Sequence, residues 1–168
     1  GMVPVIEYSF GRQNWFECHA AEHRAARESV AVFDQTGFGK LELRGRDAMA
    51  VLQRLCGNNI DVPVGHVVYT GMFNARGGFE SDLTVIRTGL ECFLLITGTA
   101  QATHDADWIT RNLAPNEHAE LRDVTLASSV IGVMGPRSRE LLARLGPADL
   151  SSAAFPFGTA QLIELGMT

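Results

Sequence analysis

The chain has 168 residues, of which 46% are hydrophobic, and it carries a formal net charge of -5. Single domains commonly have ~100–200 residues, so this length allows a domain with a hydrophobic core. The mild acidity argues against a surface for nucleic acid or anionic membranes, which needs a clustered basic excess. No apolar run approaches the ~20 residues of a membrane-spanning helix, and no signal peptide is visible.

The first elements in the chain follow an amino-terminal arm. Residues 1–16 are rich in aromatic side chains without periodicity and are interpreted as an arm, with Gly1 as the scar of an expression tag. A helix is predicted at 17–32, where Ala, Glu and Arg are frequent and Ala21, Ala25 and Val32 form an apolar stripe. A short alternating strand is predicted at 38–43. A second helix is predicted at 46–56, because its apolar residues recur at helical spacing.

The later elements alternate in the same manner. After a hairpin at 67–86, a strand is predicted at 92–97 and a helix at 101–113. Further strands are predicted at 119–123, 129–134 and 159–165, and a helix with buried Leu141, Leu142 and Leu145 follows Gly135-Pro136. Helices that interleave with hairpins indicate an α+β fold, with helices packed on a largely antiparallel sheet.

The three cysteines, Cys18, Cys56 and Cys92, are scattered and form no C-x-x-C pattern. An odd, unpatterned set of cysteines is typical of a reducing compartment. We therefore predict a cytoplasmic protein.

The hairpin contains the residue that is least expected in its local structure. Asn74-Ala-Arg-Gly-Gly78 has the turn chemistry of a hairpin between two strand-forming runs. Period 2 then puts Leu83 and Val85 on one face and Asp82 on the other. We predict that this hairpin is central in the sheet, with Leu83 and Val85 buried on the face that the helices cover. Aspartate is disfavoured in the middle of a strand, so Asp82 is either functional, or a solvated carboxylate, or an acceptor for a backbone amide.

His19-Ala-Ala-Glu-His23 matches the H-x-x-E-H zinc signature, with two imidazoles one helical turn apart. A zinc site would need a third ligand, for which Glu28 or Cys18 could be proposed. The same letters arise by chance in helices rich in Ala, Glu, His and Arg. We predict no metal site.

The hairpin also carries a family resemblance. Asn74-Ala-Arg-Gly-Gly-Phe-Glu-Ser-Asp-Leu-Thr-Val85 resembles the Asn-x-x-Gly-Gly-x-x-x-Asp-Leu-x-Val segment of the folate-binding aminomethyltransferases, the glycine-cleavage T-protein group. Arg27-Glu-Ser-Val-Ala-Val-Phe-Asp34 and Gly135-Pro136 are similar to other family segments. Val68-Tyr-Thr70 and Phe155-Pro-Phe157 are similar to the T-protein-like region of dimethylglycine and sarcosine dehydrogenases.

The resemblance implies a folate site. In the family a strand carboxylate after the Gly-Gly turn lies against tetrahydrofolate, and Asp82 occupies its position. Its implied catalytic role is to orient the folate amine and assist its proton transfer during capture of a one-carbon unit. Tyr69 matches a pocket-lining position and Thr84 a nearby one. If Phe73 pairs with Phe79, Thr70 rather than Tyr69 faces Asp82, whereas a bulge at Gly77-Gly78 would bring Tyr69 there.

The resemblance also implies what surrounds the chain. Residues 17–168 correspond to the amino-terminal part of the family's folate-binding domain, so the chain is expected to be truncated and inactive alone. In the dehydrogenases an upstream flavin domain, which holds FAD and is absent from this chain, makes the iminium from an amine. The predicted function is tetrahydrofolate-dependent aminomethyl or iminium transfer. The alternative is a non-catalytic regulatory or assembly module that retains the fold, and the presence of Asp82 favours transfer.

Overall fold

The computed structural model describes residues 5–166. Their helices and strands alternate in the order expected for an α+β fold. In chain order they are α1 (Phe16–Glu28), β1 (Ala31–Asp34), β2 (Gly39–Arg44), α2 (Ala48–Leu55), β3 (Val67–Phe73), β4 (Phe79–Gly89), β5 (Cys92–Thr97), α3 (Ala102–Arg111), β6 (Glu120–Asp123), a 3-10 helix (Thr125–Ala127), β7 (Ile131–Met134) and α4 (Ser138–Leu142).

The chain divides into two compact units. Within the described residues, the first unit comprises 5–33, 131–150 and 164–166, and the second comprises 34–130 and 151–163. The first unit holds α1, α4 and most of the strand pair formed by β1 and β7. The predicted division into an arm, 1–16, and a folate-binding domain, 17–168, stays a prediction.

The second unit is built on a five-stranded sheet with the order β3-β4-β5-β2-β6. Every neighbouring pair in this sheet is antiparallel, which confirms the predicted sheet type. The β3-β4 hairpin was expected at the centre of the sheet, and this is wrong because β3 forms an edge. The sheet extends on the other side, where β2 pairs with β5 along all six of its residues.

The core lies on one face of this sheet, under α2 and α3. The predicted apolar stripe of α2 is confirmed, since its four members are buried: Ala48, Val51, Leu52 and Leu55. Leu83 and Val85 of β4 are 2% and 1% exposed on the same face, as their parity predicted. The α+β fold with helices packed on an antiparallel sheet is therefore confirmed. Within residues 5–166, no helix is both long and apolar enough to cross a membrane.

The helix predicted at 17–32 ends earlier than expected. α1 stops at Glu28, Ser29 follows as its C-cap, and Val32 lies in β1. Valine is β-branched and favours extended backbone, which explains the early change to a strand. No residue of α1 is buried, so the predicted apolar stripe does not form a core face.

Two expectations for the last third of the chain are also wrong. Residues 159–165 form no strand, and only Thr159 makes an isolated bridge, with His66. α4 has five residues and none of them is buried. Leu145, which was expected on a buried side, lies beyond the end of this short helix and is 44% exposed.

Candidate functional site

Tyr69, Asp82 and Thr84 lie together on the sheet face opposite the core. The strand register pairs Tyr69 with Thr84 and Gly71 with Asp82, and paired residues of antiparallel strands share a face. Asp82 and Thr84 are two residues apart on β4, so they point to the same side. The three predicted site residues thus form one cluster at the β3-β4 edge of the outer face.

A β-bulge sets this register. Phe73 pairs with Phe79, whereas Met72 pairs with Ser81, which leaves Glu80 as the extra residue of β4. The bulge therefore lies after the Gly77-Gly78 turn and not within it. Both expected arrangements are wrong in detail, because Asp82 faces Gly71 and meets Tyr69 along the diagonal.

The cluster is held by a short hydrogen bond. The Tyr69 hydroxyl donates to Asp82 Oδ2 at 2.5 Å, although the Tyr69 side chain is 67% exposed. This bond and the adjacent negative charge raise the pKa of Tyr69 above its usual value. Because the phenol donates its only O–H to the carboxylate, the remaining lone pairs of both groups can accept hydrogen bonds from a ligand.

Gly71, which pairs with Asp82, lies close to two aromatic rings. A Cβ at Gly71 would lie 3.0 Å from a ring carbon of Phe79 and 3.1 Å from one of Phe73. These two rings meet edge to face, with 5.8 Å between their centroids. A larger residue at position 71 would need these exposed rings to move by a few tenths of an ångström, so the glycine favours their close approach to β3.

The loop after α2 forms hydrogen bonds to β3, the strand that carries Tyr69. Asn58 donates from its side-chain amide to the Tyr69 carbonyl at 3.2 Å and from its backbone to Thr70 Oγ1 at 3.0 Å. The Gly57 amide donates to the Gly71 carbonyl at 2.9 Å. These bonds occupy groups of an edge strand and hold the backbone that carries Tyr69.

Two cavities follow one another along the outer face of β4 and β5. The first has a volume of about 180 Å³, and its lining comprises Phe38, Tyr69, Asp82, Leu83, Thr84, Ile96, Thr97, Gly98 and Gln101. The second has a volume of about 560 Å³ and is bordered by Val64, Gly65, Ile86, Arg87, Thr88, Leu94, Ala160, Gln161 and Leu162. Together we name them the outer groove: both ends are lined mainly by apolar surface, and the first end also carries the polar side chains of Tyr69, Asp82 and Thr84.

Several residues of the outer groove could not be found from sequence patterns. Leu94 and Ile96 line the groove, whereas Phe93 and Leu95 face the core, so β5 is apolar on both faces. An apolar strand on both sides has no period that identifies either face. Gln101 reaches the groove only because α3 begins beside the end of β5.

The two histidines of the H-x-x-E-H motif, which could begin a zinc site, lie on α1. His19 and His23 do line one cavity on α1, of about 460 Å³, together with Glu28. Among the residues that the structure describes, no three or more His, Cys, Asp or Glu side chains are placed to hold a metal ion. Both imidazoles are exposed on α1, as on a solvated helix face.

We expect Tyr69 to ionise at a higher pH than an ordinary phenol, which titrates near ~10. Ionisation would remove its bond to Asp82 and place two negative charges side by side. The pKa of Tyr69 is raised in the folded state, so its bond to Asp82 stabilises the fold fully at a pH below the ordinary pKa of tyrosine. This stabilisation is lost as the pH rises through the raised pKa of the folded protein. The difference between the ultraviolet titration curves of the wild type and of Tyr69→Phe gives the pKa of Tyr69.

Asp82→Ala is the matched variant for this titration, since it removes the acceptor and its charge. The pKa of Tyr69 should then fall toward its ordinary value. An unchanged pKa in Asp82→Ala would contradict the bond between the two side chains.

The fold is an α+β domain with the outer groove on the open face of its sheet. Residues 2–168 match the GCVT N-terminal domain family. The chain belongs to this family, the glycine-cleavage T-protein group, as the hairpin motif predicted.

Three relatives of the chain are named for different functions. The chain is 42% identical over 165 residues to 4-methylaminobutanoate oxidase (formaldehyde-forming) of Paenarthrobacter nicotinovorans, covering 98% of this chain and 20% of that protein. It is 35% identical over 150 residues to the mitochondrial pyruvate dehydrogenase phosphatase regulatory subunit of Mus musculus, covering 88% and 17%. It is 35% identical over 150 residues to mitochondrial dimethylglycine dehydrogenase of Homo sapiens, covering 89% and 17%. The chain thus spans about a fifth or less of these curated relatives.

A solved structure shows the same fold. The glycine cleavage system aminomethyltransferase T from Bartonella henselae superposes with a TM-score of 0.72 at 20% identity. The match covers 83% of this chain and 37% of that one. This likeness confirms the T-protein-like fold of the described residues.

Proposed function

We propose that this chain forms part of a tetrahydrofolate-dependent module that transfers a one-carbon unit as an aminomethyl or iminium group. The observation that carries the proposal is the Tyr69–Asp82 pair at the first end of the outer groove. Membership of the GCVT family supports the same chemistry. Asp82 is the proposed catalytic residue, and Tyr69, Asp82 and Thr84 are the proposed folate-binding residues.

The outer groove has the composition that a reduced folate requires. Ligand sites are mostly apolar and carry a few polar groups at defined points. Here the polar groups are the carboxylate of Asp82 and the hydroxyls of Tyr69 and Thr84, while Ile86 and Leu94 border the second cavity. A planar pterin with a long tail suits a mainly apolar groove that carries a few polar groups at one end.

The proposed chemistry depends on transfer of the proton of the folate amine to the carboxylate of Asp82. Tetrahydrofolate, when bound, supplies a nucleophilic amine that can accept a one-carbon unit. The Tyr69 hydroxyl donates to Asp82 Oδ2 and so holds the carboxylate in one orientation, with Oδ1 as the second acceptor. A ligand that covers this exposed carboxylate excludes water and strengthens its attraction for the amine proton.

The donor of the one-carbon unit would lie outside this chain. Two relatives are named as an oxidase and a dehydrogenase of methylated amines. We therefore propose that a separate FAD-containing domain oxidises an amine and supplies an iminium to this module. A cytoplasmic location, indicated by the cysteine pattern, is part of the same proposal.

A second candidate is a regulatory or assembly module. The similarity to a phosphatase regulatory subunit favours it, because that relative is named as a regulator. The Tyr69–Asp82 pair favours transfer instead, since a purely structural domain gains little from a carboxylate in mid-strand. Binding of folate distinguishes the two candidates.

Calorimetry with tetrahydrofolate tests the proposal. We expect the complete protein to bind tetrahydrofolate, and residues 1–168 alone to bind it weakly or not at all, because pockets depend on preorganised contacts from every wall. Asp82→Ala should weaken binding roughly 10–100-fold, the size of a hydrogen bond to a charged group. Asp107→Asn, on the exposed side of α3, is the matched control and should bind as the wild type does. A complete protein that does not bind tetrahydrofolate would favour the regulatory candidate.

A further inference from the structure

A second carboxylate lies behind the site, within the core. Asp105 belongs to the first turn of α3 and is 1% exposed. Its Oδ2 accepts a hydrogen bond from Ser81 Oγ at 2.7 Å and another from Thr97 Oγ1. Its Oδ1 lies 3.1 Å from His104 Nδ1. The proposed chemistry of Asp82 makes no direct use of this buried group.

Asp105 bonds to the two strands directly behind Asp82. Ser81 immediately precedes Asp82 on β4, and the two side chains point to opposite faces. Thr97 lies on β5, pairs with Leu83 across the sheet and also lines the outer groove. One oxygen atom of Asp105 therefore links β4 to β5 beside Asp82, on the opposite face of the sheet.

The same carboxylate is connected to the bulge that sets the register. His104 contacts Asp105 through Nδ1, and its Nε2 lies 3.6 Å from Glu80 Oε2. Glu80 is the extra residue of the bulge, and its Oε1 accepts from Asn74 Nδ2 at 2.7 Å. A polar network thus runs from α3 to the hairpin turn and contacts both residues that precede Asp82.

Core packing alone does not explain an aspartate at position 105. A carboxylate loses its hydration on burial, and an apolar side chain of similar size avoids that loss. The positive end of the α3 dipole offsets only part of it. Buried polar networks that are fully bonded hold one arrangement of the backbone in preference to others. Asp82 needs one arrangement of the backbone, because it bonds to Tyr69 across the bulged pair of β3 and β4.

We propose that Asp105 is a positioning residue, which fixes β4 against β5 so that the Asp82 carboxylate keeps its place beside Tyr69 at the outer groove. This role rests on the proposed function of Asp82. Asp105 itself is buried and touches neither the groove nor a ligand in it. Its effect on transfer passes through Ser81, Thr97 and the bulge.

The test uses the complete protein, with tetrahydrofolate as acceptor and whichever of 4-methylaminobutanoate and dimethylglycine the wild type oxidises faster. We expect Asp105→Ala to lower kcat for transfer by about 10²-fold, the effect of misplacing a reacting group by a small distance. KM for tetrahydrofolate should change less than kcat, because the other contacts in the groove remain. Asp105→Asn should recover most of kcat, because its amide oxygen can accept from both hydroxyls.

Ile109→Ala is the control for a general loss of stability. Ile109 lies one turn further along α3 and is buried in the core, without a bond to either strand hydroxyl. It should lower the free energy of unfolding but leave kcat nearly unchanged at temperatures where the protein is folded. Equal losses of kcat in Ile109→Ala and Asp105→Ala would overturn the positioning role.

The pKa of Tyr69 provides a readout of geometry that needs no turnover. NMR of the ring carbons of labelled tyrosine, assigned by the signal missing from Tyr69→Phe, follows its ionisation. If Asp105 positions Asp82, this pKa falls toward its ordinary value in Asp105→Ala and stays raised in Ile109→Ala. A pKa that is equally raised in both variants would contradict the proposal.

Two further variants separate the remaining outcomes. If Asp105→Ala does not fold, Ser81→Ala decides, because it removes one bond to Asp105 with a change of a single atom; wild-type kcat in Ser81→Ala then overturns the role. Asp82→Asn tests the function itself. Impaired transfer in Asp82→Asn with wild-type transfer in Asp105→Ala refutes only the positioning role, whereas unimpaired Asp82→Asn refutes both.

Discussion

Asp82→Asn should lower the rate of one-carbon transfer by ~10²–10⁴-fold in the complete protein, the usual contribution of a general base. Asparagine keeps the size of the side chain and can still accept a bond from Tyr69, but it cannot take a proton from a folate amine. Binding of tetrahydrofolate should fall less than the rate, because most contacts in the groove remain. The loss thus belongs to kcat more than to KM.

Two products have to be measured to establish this result. Amine oxidation, followed with a dye acceptor, should be nearly unchanged, since it takes place at the proposed flavin site. Methylenetetrahydrofolate formed per turnover should fall. Equal yields from wild type and Asp82→Asn at saturating folate would remove Asp82 from the mechanism and make it a structural residue.

Leu83→Ala should reduce the free energy of unfolding by about 2–5 kcal/mol, the range for a large side chain removed from a packed core. Leu83 is 2% exposed and lies in the cluster that α2 and α3 cover. Alanine leaves a cavity between the sheet and the helices, which the surrounding side chains fill only in part. Urea unfolding of the two proteins gives the difference directly.

Leu90→Ala is the matched control for this prediction. Leu90 lies in the turn between β4 and β5 and is 78% exposed, so its truncation should change stability by no more than about half a kilocalorie per mole. If Leu83→Ala had an effect as small as that of Leu90→Ala, the core would not lie on the face that Leu83 shares with Val85.

Local patterns determined most of the individual elements. The stripe of α2 and the strand at Cys92–Thr97 were predicted because their side-chain periods depend only on residues nearby in the chain. Asp82 was singled out because a carboxylate in mid-strand conflicts with its neighbours. The motif around it also indicated the family, which the match over residues 2–168 confirmed.

The tertiary structure decided how these elements meet. The bulge at Glu80 determines that Asp82 faces Gly71 and reaches Tyr69 along the diagonal, and one extra residue in a strand leaves no mark in its composition. β3 became an edge strand because β2 and β6 joined the far side of β5. Such pairings join residues far apart in sequence, so no local period records them.

Asp105 shows what the sequence can reveal about a residue and what only the tertiary structure can. It lies four residues before Ile109, so the helical period alone would put it on the buried stripe of α3. A charged residue on that stripe was a signal, but its meaning depends on its partners. Only the fold brings Ser81 and Thr97, from two different strands, to the same carboxylate oxygen. The sequence alone therefore determined which residues have the chemistry for a site, while long-range packing decided which of them act on one another.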